Sequence, residues 1–183
     1  QALQIMKHFL SERLIQCPSM LLSQLTEVKP VSTAIVAADH AIALDSARQA
    51  FDAGIIQPVL IGGLAKISEA AENIGWDISA LECIEANGEN EAAEEGARLA
   101  HVGSVNMVMK GHIHTDVFMR PLLAKGSGIR TGRRLSHVFH MSLPGRDDSL
   151  LLTDCALNVA PDIETRIAII ENAIELSQKL GCR

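Results

Sequence analysis

Aromatic side chains are nearly missing from this 183-residue chain: they make up 3%, with no tyrosine and a lone Trp76. So few rings give no stacking platform for single-stranded nucleic acid. The four cysteines (Cys17, Cys83, Cys155, Cys182) are widely spaced and form no CxxC pair, which argues against a disulfide framework or a structural zinc site and for reduced thiols in the cytoplasm. Long apolar runs are missing too. The charge-free stretches Leu14 to Thr26 and Ala53 to Ala65 fall short of the roughly 18 residues a spanning helix needs. No basic start, apolar middle and small-residue cleavage site marks a signal peptide. With 48% hydrophobic and 21% charged residues spread along the chain, intrinsic disorder is excluded as well.

The charge that is present is unevenly placed. The net charge is −6, yet the window from Lys110 to Arg146 holds seven basic residues against the single acid Asp116. That window carries +6, while nine bases and 21 acids elsewhere leave −12. A basic patch on an acidic protein attracts a small anionic ligand without attracting nucleic acid everywhere. Four of the seven histidines (His112, His114, His137, His140) share the window.

Apolar runs alternate with amphipathic stretches. Residues 2–15 read as a helix, with a connector to Pro30; Thr33–Ala38, Pro58–Ile61, Leu81–Glu85 and Val105–Met109 read as buried strands. Leu44–Ala53, Leu64–Ile74, Asn90–His101 and Thr115–Lys125 read as the helices after them, the last interrupted by Pro121. Ser136–Met141 and Leu150–Thr153, joined by the turn PGRDD at 144–148, read as a hairpin. Pro161–Leu180 closes the chain as an amphipathic helix with Pro161 at its first position. The fold class expected is therefore α/β: a mostly parallel sheet flanked by helices on both faces, with a late antiparallel hairpin. Ligands in such sheets sit beyond the carboxyl ends of the strands, so the candidate loops are Asp39-His40, Gly62-Gly63 and Lys110 to Thr115.

Two segments carry chemistry. In MKGHIHTD (109–116), Gly111 permits close backbone approach, Thr115 is placed to cap the following helix, and that helix's N-terminus suits an anion, with Lys110, His112 and His114 adding charge or hydrogen bonds. In KGSGIRTGRR (125–134), a Gly-rich turn around Arg130, Thr131, Gly132, Arg133 and Arg134 can form an anion nest with arginine forks for phosphate oxygens. Neither GxxxxGK[ST] nor GxGxxG is present. The pairs His112/His114 and His137/His140 invite a metal, but no third ligand is signalled, so no metal is expected. Asp39, His40 and Asp154 sit near strand ends as polar ligands, acid–base groups or buried hydrogen-bonded structure. The cysteines read as packing residues, the run Glu89 to Glu95 as a solvated helix start, and no GxSxG elbow supports a serine nucleophile.

The stretches VMKGHIHTDVFMRPLLAK (108–125), GIRTGRRLSHVFHMSLPGRD (128–147) and LLLTDCALNVAPDIETRIAIIENAIEL (150–176) resemble the phosphate acetyl/butyryltransferase family. The HIHTD wording is similar to phosphate acyltransferase modules fused behind an enoyl-CoA-hydratase-like domain. The resemblance begins near Lys29, so residues 1–28 are read as a helix or linker and 29–183 as the first α/β portion of the module. It implies an isocitrate/isopropylmalate dehydrogenase-like fold of two α/β domains around a cleft, and a cytoplasmic enzyme moving an acyl group between coenzyme A and inorganic phosphate. CoA and phosphate would be substrates, with no cofactor, no metal and a homo-oligomer expected. Binding of the two polyanions falls to Lys110, Gly111, His112, His114, Thr115, Arg120, Arg130, Thr131, Gly132, Arg133 and Arg134. The family's Ser-Arg pair and following Asp have no counterpart before Arg183, so catalytic residues stay unassigned and the chain reads as truncated. The alternative is a non-catalytic half-domain binding CoA or phosphate; an oxidoreductase of the same architecture lacks a dinucleotide fingerprint.

Overall fold

The computed structural model describes Leu21, Ser23 and residues 29–142 and 149–181. The helix read at 2–15, most of the connector to Pro30, the turn at 144–148, Cys17, Arg146 and Cys182 lie outside the described residues. The chain divides into two compact units, one running Val28–Arg133 and the other containing Arg134–Arg183.

The first unit is built on four parallel strands: β1 (Val31–Val36), β2 (Ile56–Gly62), β3 (Glu82–Glu85) and β4 (Met107–Lys110), in the order β3-β2-β1-β4. The helices α1 (Ala41–Asp52), α2 (Leu64–Ile74), α3 (Glu89–His101) and α4 (Thr115–Leu123) each follow the strand before them. In β1 the run TAIV is buried on both sides, which is why it reads as continuous apolar sequence instead of alternating. Ile35 and Leu60 face α1 and α2, packing on Leu44, Ala47, Ile67 and Ala71. Their neighbours Ala34, Val36 and Ile61 face the other way, against Ala92, Ala93 and Leu99 of α3 and Phe118 of α4. Each fully buried Ile or Leu here contributes about 1.5–3 kcal/mol of transfer free energy.

Helix α3 lies close to the sheet because its inner face is small: Ala92, Ala93, Gly96 and Ala97 are all buried. A Cβ on Gly96 would come within 2.5 Å of Val36 Cγ2. The other seam is tighter still. The Gly111 N–H donates to Val36 O at 2.8 Å, and a Cβ there would lie 2.4 Å from Ala37 O.

In the second unit, β5 (Val138–Ser142) and β6 (Ser149–Thr153) pair antiparallel, with Phe139 opposite Leu152, and α5 (Ile163–Lys179) follows. Asp162, not Pro161, begins this helix: its carboxylate accepts the Thr165 N–H at 2.8 Å, so Asp162 is the N-cap and Pro161 lies outside. Thr115 is corrected in the same way. The N-cap of α4 is His114, and Thr115 is already the first helical residue. Helix α4 ends at Leu123, two residues after Pro121, whose ring nitrogen has no hydrogen to donate.

Candidate anion site at the carboxyl edge of the sheet

With strand order β3-β2-β1-β4, the chain moves away from β1 on one side and returns on the other. The connections after β1 and β4 therefore run to opposite faces of the sheet, the kind of switch point at which such sheets bind ligands. His40 and His112 come from these two loops. Their rings stack with centroids 4.1 Å apart and planes 12° apart. His40 is also the N-cap of α1, its Nδ1 accepting the Ile42 N–H at 3.3 Å. Beside the stack, Ala37, Asp39, Gly62, Lys66, Gly88, Glu89 and His112 line a cleft of about 280 Å³. Lys66 Nζ lies 3.9 Å from Asp39 Oδ2 across it. The backbone turns sharply here, Ala37 adopting φ 57°.

Carboxylates at this edge tie down helix N-termini. Glu85 Oε2 accepts the Leu64 N–H at the start of α2 (3.0 Å), and Glu91 Oε2 accepts the Asn87 N–H (2.6 Å). Glu89 reaches across from α3 to the loop after β4. It accepts the His114 backbone N–H at 3.0 Å and faces His114 Nδ1 at 2.8 and 2.9 Å. These bonds, the backbone N–H first, hold the Glu89 carboxyl below its ordinary range. The hydrogen bond that His114 Nδ1 donates to Glu89, with the carboxylate's charge, holds the His114 imidazole above its ordinary value.

Lys110, Gly111, His112, His114 and Thr115 thus run from the last residue of β4 through the connecting loop to the first residue of α4, with Lys110 and both histidines exposed. Arg120 lies on α4, donating to Asp116 Oδ2 at 3.3 Å. It lines a second hollow of about 450 Å³ with Glu94, Arg98, His101 and Ser127. Arg130, Thr131, Gly132 and Arg133 form the loop beyond α4. There Arg130 Nη1 donates to Leu123 O at 3.4 Å, and the Arg133 N–H donates to Thr131 Oγ1 at 3.2 Å. Arg134 belongs to the second unit, where its Nη2 donates to Thr165 Oγ1 at 3.2 Å. Glu89 and the His40–His112 stack are what the sequence reading missed. The one available signal was position: Gly88-Glu89 follows β3, at the same edge as the loops already singled out.

Elsewhere Asp154 is the hub of a turn. Burial alone would raise its carboxyl, but Asn158 and the N–H groups of Ala156, His137 and Leu157 all donate to it and hold it at about 2. Cys83 and Cys155 are free, and burial pushes the Cys83 thiol up, away from a reactive thiolate. Among the described residues no group of three or more His, Cys, Asp or Glu side chains is gathered to hold a metal ion, and no helix is long and apolar enough to cross a membrane.

A parallel α/β sheet with a polar cleft at its carboxyl edge defines a broad class of ligand-binding folds; comparison with known proteins narrows it. The family described as phosphate acetyl/butaryl transferase matches residues 89–183. The chain is 38% identical over 138 residues to a phosphate acetyltransferase of Rhizobium meliloti, covering 75% of this chain and 44% of that protein. It is 34% identical over 161 residues to a phosphate butyryltransferase of Clostridium beijerinckii, covering 88% and 53%. Among solved structures, a branched-chain phosphotransacylase from Enterococcus faecalis superposes with a TM-score of 0.67 at 26% identity, over 82% of this chain and 52% of that one. A phosphotransacetylase from Streptococcus pyogenes shares the fold, with a TM-score of 0.75 at 16% identity. This chain belongs to the phosphate acetyl/butyryltransferase family, and it spans about half the length of the curated relatives it matches.

Proposed function

We propose that this chain supplies the anion-holding part of a phosphate acyltransferase site, for acyl-CoA plus phosphate going to acyl phosphate plus CoA, of the acetyl or butyryl class. The observation that carries the reading is the segment Lys110–Thr115, which lies at the β1/β4 switch point, puts His112 on the wall of the cleft there, and falls within the family-matched residues. In the forward direction a phosphate oxygen attacks the thioester carbonyl, the C–S bond breaks, and sulfur leaves with the electron pair as thiolate. In reverse the thiolate attacks the acyl phosphate and phosphate leaves. Either way two anions must be held within reach despite their repulsion, a task for positioning and charge. Lys110, His112, His114, Arg120, Arg130, Arg133 and Arg134 are the proposed cationic or donor contacts, and Gly111, Thr115, Thr131 and Gly132 the proposed backbone and hydroxyl ones. CoA and phosphate enter as substrates, with no further cofactor. A cytoplasmic setting fits the free thiols of Cys83 and Cys155.

A homo-oligomer belongs to the same reading. Ile163, Ile167, Ile170 and Ile174 of α5 are 77%, 52%, 55% and 51% exposed. Their spacing of four, three and four residues follows the a/d repeat, and in a parallel assembly joined along this face Arg166 of one copy would face Glu171 of the next. The partner is a second copy of this chain.

The chain's coverage of about half its relatives favours one other outcome, a half-site that binds CoA or phosphate without turnover. Thiol release from acetyl-CoA and butyryl-CoA, with and without phosphate, separates the two. Phosphate-dependent release establishes a working site in these 183 residues. CoA binding without release establishes the half-site, and neither binding nor release refutes the proposal.

A further inference from the structure

We propose that Glu89 is a positioning residue for the anionic reactant: it locks the His114 ring so that Nε2 is presented at the carboxyl edge of the sheet as a donor to a phosphoryl oxygen. This rests on the acyltransferase reading for the ligand, and on geometry alone for the dyad.

The geometry separates this role from simple scaffolding. One bond, from the His114 backbone N–H to Glu89 Oε2, would be enough to tie the loop after β4 to the start of α3. The carboxylate makes a second contact, to ring Nδ1, with both oxygens within 2.9 Å. A carboxylate on Nδ1 fixes the proton there and sets the ring orientation, leaving Nε2 as the working nitrogen. His114 Nε2 has no protein partner among the described residues, and the side chain is 78% exposed. The loop around it is rigid, because Gly111 and His112 N–H groups donate to Val36 O and Ala37 O.

The charges facing the ring come from each neighbouring element. Glu89 of α3 and Asp116 of α4 favour the imidazolium, and Lys110 at the end of β4 opposes it. His112, stacked on His40, lies near Glu89 on the loop itself. Glu89 is the dominant contributor, so the imidazolium, with Nε2–H as a charged donor, persists to higher pH than an ordinary histidine.

The test is carried out on the full chain with sulfate, which stays a dianion across the titration range and so contributes no pH dependence of its own. The His114 ring is followed by NMR from pH 5 to 9 in the wild type and in Glu89→Gln, which keeps the shape and removes the charge. The expected result is a lower His114 midpoint in Glu89→Gln, and a pH profile of sulfate binding moved down with it. The variant should bind sulfate roughly three- to tenfold more weakly near pH 7.5, and equally well below about pH 5.5 where both rings are charged. An unmoved midpoint, or an affinity loss of the same factor at every pH, overturns the proposal. If wild type binds no sulfate at any pH while the midpoint still moves, the anion-site reading fails and the dyad survives, so the two failures are distinct. Should Glu89→Gln not fold, His114→Gln serves: its sulfate binding is expected to be weak and flat with pH above about 6, and a retained wild-type profile overturns the proposal.

Discussion

His40 and His112, 72 residues apart, stack at 4.1 Å and join the loops after β1 and β4. The contact joins the N-cap of α1 to the basic loop of the proposed site. An aromatic pair of this kind is worth about 0.5–1.5 kcal/mol beyond the area it buries. A double-mutant cycle with His40→Ala and His112→Ala, read by urea unfolding, should return a coupling energy in that range. Additive losses would mean that the rings touch without cooperating.

The Gly111 seam leaves no room for a methyl group, because the atoms it would meet are the Val36 and Ala37 carbonyl oxygens, fixed in the sheet. Gly111→Ala must part β4 from the loop after β1, at a cost of about 3 kcal/mol or more, in the range of severe overpacking. It should also weaken phosphate binding through the displaced His112 and His114. A variant of wild-type stability would show that this seam yields.

Gly96 sets two effects against each other. Helix propensity favours Ala by about 1 kcal/mol, whereas a Cβ 2.5 Å from the β-branched Val36 side chain forces overpacking of about 1–3 kcal/mol. The clash should win, so Gly96→Ala is expected to lower stability by about 1 kcal/mol. Pairing it with Val36→Ala should restore the propensity gain, and urea midpoints of the four proteins decide it.

The parallel sheet was legible because TAIV and PVLI are unbroken apolar runs followed by amphipathic stretches, and α2 was read to its exact bounds because Gly75 stops it at φ 65°. Pro161 misled because its fixed φ suits the first helical position, while the Asp162 carboxylate supplies the stronger stop for orphan N–H groups. Glu89 was hidden for a different reason. A Glu-rich helix start looks solvated in one dimension, and only the β3-to-β4 crossover brings it to His114, 25 residues on. The loop Lys110–Thr115 was visible as a position, but the partners that orient it were not.

Asp154 gives a pH signature. Its carboxyl is lowered from the ordinary 3.8 to about 2, so it stabilises the folded chain above about pH 4 and loses that contribution as pH falls through 2. Allowing for solvent screening, the contribution is about 1–2 kcal/mol. Asp154→Asn should be less stable than wild type at pH 6 and should lack this component of the acid transition. Parallel curves for the two proteins from pH 6 to 2 would remove Asp154 from the acid response.

The α5 seam predicts concentration-dependent association that depends on charge. In sedimentation experiments Ile167→Lys should dissociate the homo-oligomer, since it places a charge in the seam. Arg166→Glu and Glu171→Arg should each weaken it, and the double reversal should restore it. A wild-type chain that stays monomeric at high concentration refutes the seam.

Arg133 and Arg134 are neighbours in sequence, one closing the first unit and the other opening the second unit's segment. Arg134 donates to Thr165 Oγ1 beside the Asp162 cap, so Arg134→Ala should lower the stability of the second unit by about 0.5–1.5 kcal/mol. Arg133→Ala and Arg134→Ala should both weaken phosphate or CoA binding, and more so at low ionic strength, because exposed charges act at full range only when salt does not screen them. Isothermal titration at about 0.01 M and 0.15 M salt, where the screening length falls from about 30 to 8 Å, measures the difference directly. An affinity that Arg133→Ala leaves unchanged at both salts removes this arginine from the site.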